Sequence, residues 1–173
     1  MNVPNKDPQL DSLKVPPHSI EAEQSVLGGL LLDNAAWDRI ADFVNEGDFY
    51  RYDHRIIFQH IGRVISTARP ADVITVYEQL QALGKAEEIG GLAYLNALAQ
   101  YVPSATNIRR YAEIVRERSI LRKLVGVSDE ISTSVFNRGE RKVAQILDEA
   151  EQKIFAIGEE GSRMKQGFQP MSS

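Results

Sequence analysis

The residue types that most often do chemistry are present in this 173-residue chain, but without the spacings that their chemistry needs. No G-x-x-x-x-G-K-[ST] motif supplies the amide nest and lysine that hold nucleotide phosphates. His54 and His60 are six residues apart, on different faces of a helix, and no H-E-x-x-H or E-x-x-H pattern makes a metal-ligand pair. A G-x-S-x-G nucleophile elbow is also absent, although a Ser-His-Asp triad assembled by folding stays open. We expect no catalytic, metal or cofactor-binding residue, and surface or boundary positions for both histidines.

The composition narrows the class of protein. An apolar content of 43% with 25% charged residues is typical of a globular chain, and the absence of Cys excludes disulfides and thiolate chemistry. A net charge of -4 argues against a domain whose main task is to coat nucleic acid. The longest apolar run, Val26 to Leu32, is too short to cross a bilayer, and the amino terminus lacks the order of a signal peptide. The expectation is a cytoplasmic protein with no membrane contact.

Five short helices are predicted before residue 102. Ser19 can cap the first, Ile20 to Leu32, in which Gly28-Gly29 favours a close helix-helix approach. The apolar residues of the other four recur at helical spacing: Trp37, Ile40, Ala41 and Val44; then Ile56, Ile57, Phe58, Ile61, Val64 and Ile65; then Ile74, Val76, Tyr77, Leu80 and Leu83 up to Gly84; then Leu92, Tyr94, Leu95, Leu98 and Ala99. Asp72 can cap the fourth of the five helices. Such a pattern predicts a compact all-helical unit.

Two longer helices follow, one from Asn107 to about Phe136 and one of about 19 residues ending at Ile157 and Gly158, joined by the turn 137–139. The return helix carries an apolar stripe at spacings of four and three, which predicts its packing seam: Val143, Leu147, Ala150, Ile154 and Ile157. Ile146 and Phe155 lie off that stripe. The apolar surplus must meet the same chain's earlier helices, a second copy or another protein.

The fold prediction is therefore all-α, with a compact multi-helix head followed by a long antiparallel helical hairpin. The ranges assigned are a disordered tail at 1–17, the head at 18–103, the hairpin at 104–158 and the start of an interdomain linker at 159–173.

Several stretches, in order along the chain, resemble the amino-terminal domain of the bacterial replicative hexameric DNA helicase, the DnaB family. They are PPHSIEAEQSVLGGLLLDN at 16–34, GDFY at 47–50, HRIIF at 54–58, GGLAYL at 90–95, PSATNI at 103–108 and YAEIVRER at 111–118. The resemblance covers roughly residues 14 to 160. Relative to a complete member, the chain lacks the RecA-like ATPase domain, and we expect it neither to hydrolyse ATP nor to unwind DNA; ATP and Mg would belong to the missing motor domain.

The resemblance implies an oligomerisation and partner-docking domain at the replication fork, in a cytoplasmic, nucleoid-associated protein. Implied partners are a second copy, in dimers that close as a trimer of dimers, the carboxy-terminal domain of primase and a helicase loader, with single-stranded DNA bound only weakly or through the full ring. It points to Val125, Ile131 and Ile146 as primase-docking candidates. Candidates for the hairpin seam or dimer interface are Leu121, Leu124, Leu147, Ala150, Ile154 and Ile157.

An alternative function is a helical nucleic-acid-binding module that uses the basic residues of the long helix, namely Arg109, Arg110, Arg116, Arg118, Arg122 and Lys123. Rotation of 100° per residue scatters them around the helix, and carboxylates are interleaved with them. Tyr111 is the only ring between 102 and 135 that could stack on a base.

Overall fold

The computed structural model describes residues 15–101 and 107–168, with the side chains of 163–168 excepted. Seven α-helices lie in these ranges: α1 (Ile20–Leu32), α2 (Trp37–Ile40), α3 (Tyr52–Ser66), α4 (Val73–Ala82), α5 (Gly91–Tyr101), α6 (Ile108–Phe136) and α7 (Val143–Phe168). Short 3₁₀ turns lie at Asn34–Ala36, Glu46–Asp48 and Glu87–Ile89. No strand occurs in the part of the chain that the structure describes, so the all-α prediction is confirmed.

Helix α1 is the centre of the head and packs against α3, α5 and α6. It begins as predicted, because the Ser19 hydroxyl accepts a hydrogen bond from the amide of Ala22. The predicted close approach is also present: a Cβ at Gly29 would lie 3.1 Å from Cδ1 of Ile108 on α6. The beginning of α6 therefore belongs to the same buried core as α1.

The second predicted helix is much shorter than its apolar pattern indicated. Only Trp37–Ile40 is α-helical, and a turn follows at 41–43. Trp37 packs over Gly62 of α3, where a Cβ would come within 2.6 Å of the indole ring. This contact places α2 against α3 although α2 has little more than one turn.

Helix α4 begins and ends as the sequence predicts. The carboxylate of Asp72 accepts a hydrogen bond from the amide of Thr75, and this bond lowers the pKa of Asp72. The chain leaves the helix through Gly84, whose φ of 71° is one that glycine adopts without strain. Gly90, with φ 94°, then leads into α5 in the same way.

Helices α6 and α7 form the predicted antiparallel hairpin, and α6 has the predicted length. The prediction that the return helix ends at Ile157 and Gly158 is wrong, because α7 continues to Phe168. Gly158 suggested an end there, but glycine only weakens a helix, by about 1 kcal/mol relative to Ala.

Parts of the predicted organisation fall on residues that the structure does not describe. The tail prediction concerns mainly 1–14, the boundary between head and hairpin falls within 102–106, and the predicted linker includes 169–173. None of the helices in the described ranges combines the length and apolar character that spanning a bilayer requires.

Candidate association surface

A buried ion pair joins the head to the hairpin. Asp48, at the end of a 3₁₀ turn of the head, accepts hydrogen bonds from Nη1 of Arg116 at 2.7 Å and from the hydroxyl of Ser119 at 2.8 Å. Its other oxygen accepts the amide of Asn45 at 2.9 Å. Asp48 and Arg116 are both buried, so their charges compensate each other away from water. This pair fixes α6 against the head.

Arg122 makes a second connection, two turns further along α6. Its guanidinium donates to the carbonyl of Pro17 at 2.7 Å and to that of Asp48 at 2.6 Å, and it lies over the ring of Tyr50. Burial lowers the pKa of Arg122, while Glu23, Asp48 and Tyr50 favour its charged form. The segment before α1 is therefore held against α6.

Both histidines occupy the interior of the head, so the prediction of surface or boundary positions is wrong. Nδ1 of His54 lies 2.8 Å from Oε1 of buried Glu23, and Nε2 lies 2.6 Å from the hydroxyl of Tyr94. Glu23 also accepts the amide of Tyr50 at 2.8 Å, just before α3. Burial raises the pKa of Tyr94, which stays protonated at neutral pH. The cluster thus holds α1, α3 and α5 together.

His60 lies between α3 and α4. Its Nδ1 is 3.0 Å from Nε2 of Gln79, while Oε1 of Gln79 accepts from Arg69. The amide of Gln79 thus donates to Nδ1, which places the proton of the neutral imidazole on Nε2, a buried atom with no hydrogen-bond partner among the described residues. Burial lowers the pKa of His60, and Arg63 and Lys85 lower it further. Spacing could have indicated burial, because each histidine is three or four residues from a core isoleucine or valine of α3.

The inner face of the hairpin differs from the predicted seam by one position. Beyond Ser119, the only buried side chains described on α6 and α7 are Ile146 and Ile157. Ile131 and Ser134 of α6 face Ile146 and Ala150 across a small cleft between the helices. Ile146, predicted to lie off the seam, is thus inside it.

Leu147 and Ile154, predicted as seam residues, are turned away, with Leu147 58% exposed. Two stripes of α7 follow helical spacing. The predicted one runs through 143, 147, 150, 154 and 157, and the other runs through 146, 150, 153 and 157. The second contains Lys153, whose ammonium group reaches Glu130 on α6 and whose stem covers the inner face. A charged residue in the seam is the reason that the apolar pattern alone chose the wrong stripe.

A large apolar surface remains uncovered on the hairpin. We call it the outer face; its exposed members are Leu121, Leu124, Val125, Val135, Phe136, Val143, Leu147, Ile154 and Phe155. Phe136 is 84% exposed and Phe155 is 69% exposed. The head does not cover these residues, because in this structure α7 packs mainly on α6. The alternative in which the same chain's earlier helices bury the surplus is therefore wrong.

The outer face occupies one side of the hairpin. On α7, Leu147 and Ile154 come one position after the inner residues 146 and 153. On α6, Leu121 and Val135 come one position after 120 and 134, which point toward α7. One position is a rotation of 100°, and equal rotations on two antiparallel right-handed helices point to the same side of the pair. The opposite side carries the residues that precede the inner ones, such as Thr133, Gln145 and Gln152. The hairpin is thus apolar on one side and polar on the other.

Five of the six basic residues named above as candidates for nucleic-acid binding make contacts within the domain. Arg116 and Arg122 point into the head, Lys123 reaches Glu160 of α7, and Arg110 donates to Glu113 at 3.2 Å. Arg109 lies over the ring of Phe43. These contacts weigh against the nucleic-acid-binding alternative, because phosphate binding needs clustered and accessible cations. Within the described ranges, His, Asp and Glu side chains form no cluster suited to a metal ion.

The family model described as the DnaB-like helicase N terminal domain matches residues 15–117. This chain belongs to the DnaB-like helicase N-terminal domain family. It is 46% identical over 155 residues to the replicative DNA helicase DnaB of Pasteurella multocida, a match that covers 90% of this chain and 33% of that protein. With the corresponding protein of Geobacillus stearothermophilus it shares 42% over 151 residues, again covering 33% of the relative. The chain therefore spans about a third of the length of these curated relatives.

Solved structures agree with this assignment. The crystal structure of the N-terminal domain of DnaB helicase from Mycobacterium tuberculosis is similar with a TM-score of 0.77 and 36% identity, covering 82% of this chain and 99% of that one. A DnaB-like replicative helicase whose structure was described together with its interactions with primase matches with a TM-score of 0.66 and 22% identity, covering 80% of this chain and 31% of that one. The second likeness shows the fold alone.

Proposed function

We propose that this domain associates with a second copy of itself through the outer face of the hairpin, and that such dimers build the amino-terminal collar of a hexameric replicative helicase as a trimer of dimers. The observation that carries the proposal is the apolar side of α6 and α7, which the described part of the head leaves uncovered. Exposed apolar surface of this extent is a liability in a solitary soluble domain and is typical of an interaction site.

The outer face is arranged in a way that suits a two-fold dimer. One apolar cluster lies on α6 near the head: Leu121, Leu124 and Val125. A second lies at the hairpin tip: Val135, Phe136, Val143 and Leu147. Ser128 and Ser132 lie between them on α6. The ion pair between Lys153 and Glu130 places Ile154 level with this middle part of α6.

The clusters are separated along α6 by about 17 Å, at ~1.5 Å per residue. In an isologous dimer each surface patch meets its complement across the axis. Two hairpins packed with their outer faces together and running in opposite directions bring each near-head cluster onto the partner's tip cluster. The two-fold axis then passes close to Ser128.

A cross-linking experiment tests this geometry. Because the chain has no native Cys, Ser128→Cys introduces a single thiol near the proposed axis. We expect rapid disulfide-linked dimer formation under mild oxidation. Thr133→Cys is the matched control, since Thr133 is also exposed on α6 but on the polar side. Equal cross-linking of both variants, or none with Ser128→Cys, would contradict the arrangement.

We further propose that the hairpin binds the carboxy-terminal domain of primase. We also propose that the parent protein is an ATP-dependent DNA-unwinding enzyme of the bacterial cytoplasm and nucleoid. Membership of the family and the fold shared with a helicase described with primase support this proposal. A helicase loader and single-stranded DNA, the latter weakly or through the ring, remain predicted partners. ATP and Mg are expected to act in a motor domain.

The three predicted primase contacts differ in accessibility. Val125 is exposed on the outer face, Ile131 is half-buried and Ile146 lies between the helices at 9% exposure. Their docking role stays a prediction, and of the three only Val125 offers a side chain that primase can reach without opening the hairpin, in a protomer whose outer face is not covered by a second copy. We expect Val125→Asp to weaken binding of the primase carboxy-terminal domain at least tenfold in a calorimetric titration. Gln152→Asp on the polar side is the control, and equal affinities for the two variants would remove Val125 from the site.

A further inference from the structure

The last part of α7, after Ile157, is helical although its described side chains make few contacts with the rest of the domain. After Ile157 no described side chain is buried, and only Glu160 and Gly161 are even half-buried. Side chains added at Gly158 and Gly161 would meet nothing within 4 Å, so close packing does not require glycine there. Each glycine weakens the helix by about 1 kcal/mol relative to Ala. Intrinsic propensity therefore disfavours this turn of helix.

Glu160 supplies the tertiary contact that opposes this tendency. Its Oε2 lies 3.4 Å from Nη2 of Arg116 and also accepts a hydrogen bond from Nζ of Lys123. Both cations belong to α6, so the two contacts connect the end of α7 with the part of α6 that adjoins the head. The Glu160 side chain is 36% exposed, which leaves the contact open to water and to dissolved ions.

The arrangement allows Glu160 to dissociate without leaving a buried charge unpaired. Arg116 keeps its bond to buried Asp48 at 2.7 Å whether or not Glu160 is bound. Lys123, whose side chain is 39% exposed, becomes solvated. Removing a partner from a buried pair is costly because an uncompensated charge remains, and that penalty does not arise here.

We propose that Glu160 is a releasable ionic latch, and that residues 158–168 exchange between a helix docked on α6 and an unwound segment according to whether Glu160 is bound to Arg116 and Lys123. Docked, the segment continues α7 for about 16 Å at ~1.5 Å per residue. Unwound, the same residues can span up to about 36 Å, at ~3.3 Å per residue. The latch thus sets the length and direction of the chain that leaves the hairpin.

Amide hydrogen exchange on the whole 173-residue chain tests the latch. We expect measurable protection of the amides of 159–168 at low ionic strength. Glu160→Gln should speed exchange of these amides about three- to fivefold, the effect of losing one partly exposed ion pair. Salt at about 1 M, where the Debye length is ~3 Å, should act on the wild type in the same direction. Amides of α6 should keep their rates.

Two comparisons decide the result. Glu159→Gln removes one negative charge from the neighbouring exposed side chain, as Glu160→Gln does, and should leave the exchange rates of amides 159–168 unchanged. Combining Glu160→Gln with Gly158→Ala and Gly161→Ala should restore protection, because alanine supplies helix propensity without needing a partner. The proposal is overturned if the two glutamine variants behave alike, or if these amides are unprotected in the wild type.

Discussion

The head and the hairpin handle apolar and charged side chains in opposite ways. In the head, apolar residues from five helices and the beginning of α6 share one core, and the buried carboxylates of Glu23 and Asp48 each have several donors. Beyond Ser119 the hairpin buries only Ile146 and Ile157 among its described side chains, while Phe136 and Phe155 face outward. The core of the head closes with the first turns of α6, whereas the rest of the hairpin leaves apolar side chains exposed.

The largest expected effect concerns the buried ion pair that joins the two regions. Asp48→Asn removes the buried counter-charge of Arg116 and leaves only the more exposed Glu160 beside its guanidinium, and we expect a loss of about 3 to 5 kcal/mol in the free energy of unfolding. Urea denaturation measures it. Glu46→Gln, an exposed carboxylate in the same 3₁₀ turn, should change stability by less than about 0.5 kcal/mol. Similar losses for both variants would mean that Asp48 is not specially placed.

A second test separates the two faces of the hairpin. Ile146→Ala removes a buried side chain and should destabilise the monomer by about 2 kcal/mol, the lower end for a core truncation because the site is thinly covered. Leu147→Ala should change monomer stability by less than about 0.5 kcal/mol and weaken self-association instead. Thermal melting at low concentration together with sedimentation measures both effects. The reverse pattern would show that the sequence-predicted stripe, not the inner face described above, is the seam.

Glycine substitutions contrast packing in the two regions. Gly62→Ala places a methyl group 2.6 Å from the indole of Trp37 and should destabilise the head by about 1 to 3 kcal/mol through overpacking. Gly126→Ala in α6 meets nothing within 4 Å and should stabilise the hairpin by up to about 1 kcal/mol. A pair of melting curves suffices. If Gly62→Ala is neutral, α2 is less firmly held on α3 than the structure indicates.

The smallest expected effect is a pH dependence confined to the head. Burial, with Arg63 and Lys85, lowers the pKa of His60 below its ordinary value of 6.5, so the folded state holds the ring neutral. The unfolded chain binds the proton more readily, and the stability that His60 contributes is present above pH 6.5 and is lost as the pH falls below it. His60→Gln should therefore flatten the decline in melting temperature between neutral and mildly acidic pH. Equal slopes in this variant and in the wild type would exclude this role for His60.

Periodicity in the sequence predicted much of the fold. The structure confirms the predicted bounds of α1, the caps at Ser19 and Asp72, and the length of α6. Local hydrogen bonds and apolar spacing determine these features. The end of α7 was missed, since Gly158 looks like a helix end while the contact that opposes it, Glu160 with Arg116, joins residues far apart in the chain. The burial of His54 and His60 also depends on distant partners, Glu23 and Gln79.

The candidate surface was predictable in part. Surplus apolar residues on α6 and α7 indicated an association surface, but two stripes of α7 both satisfied helical spacing, and the one through Lys153 turned out to be the inner face. A charged residue that buries its stem and pairs at its tip cannot be told from an exposed one by its type alone.

Sedimentation equilibrium over a wide range of protein concentration tests the central claim most directly. We expect the wild-type chain to pass from monomer to dimer, and Leu147→Glu to remain monomeric with an unchanged melting temperature at low concentration, because Leu147 lies in the proposed dimer surface and not in the chain's own core. A wild type that stays monomeric at all concentrations, or a Leu147→Glu variant that dimerises equally well, would contradict the account.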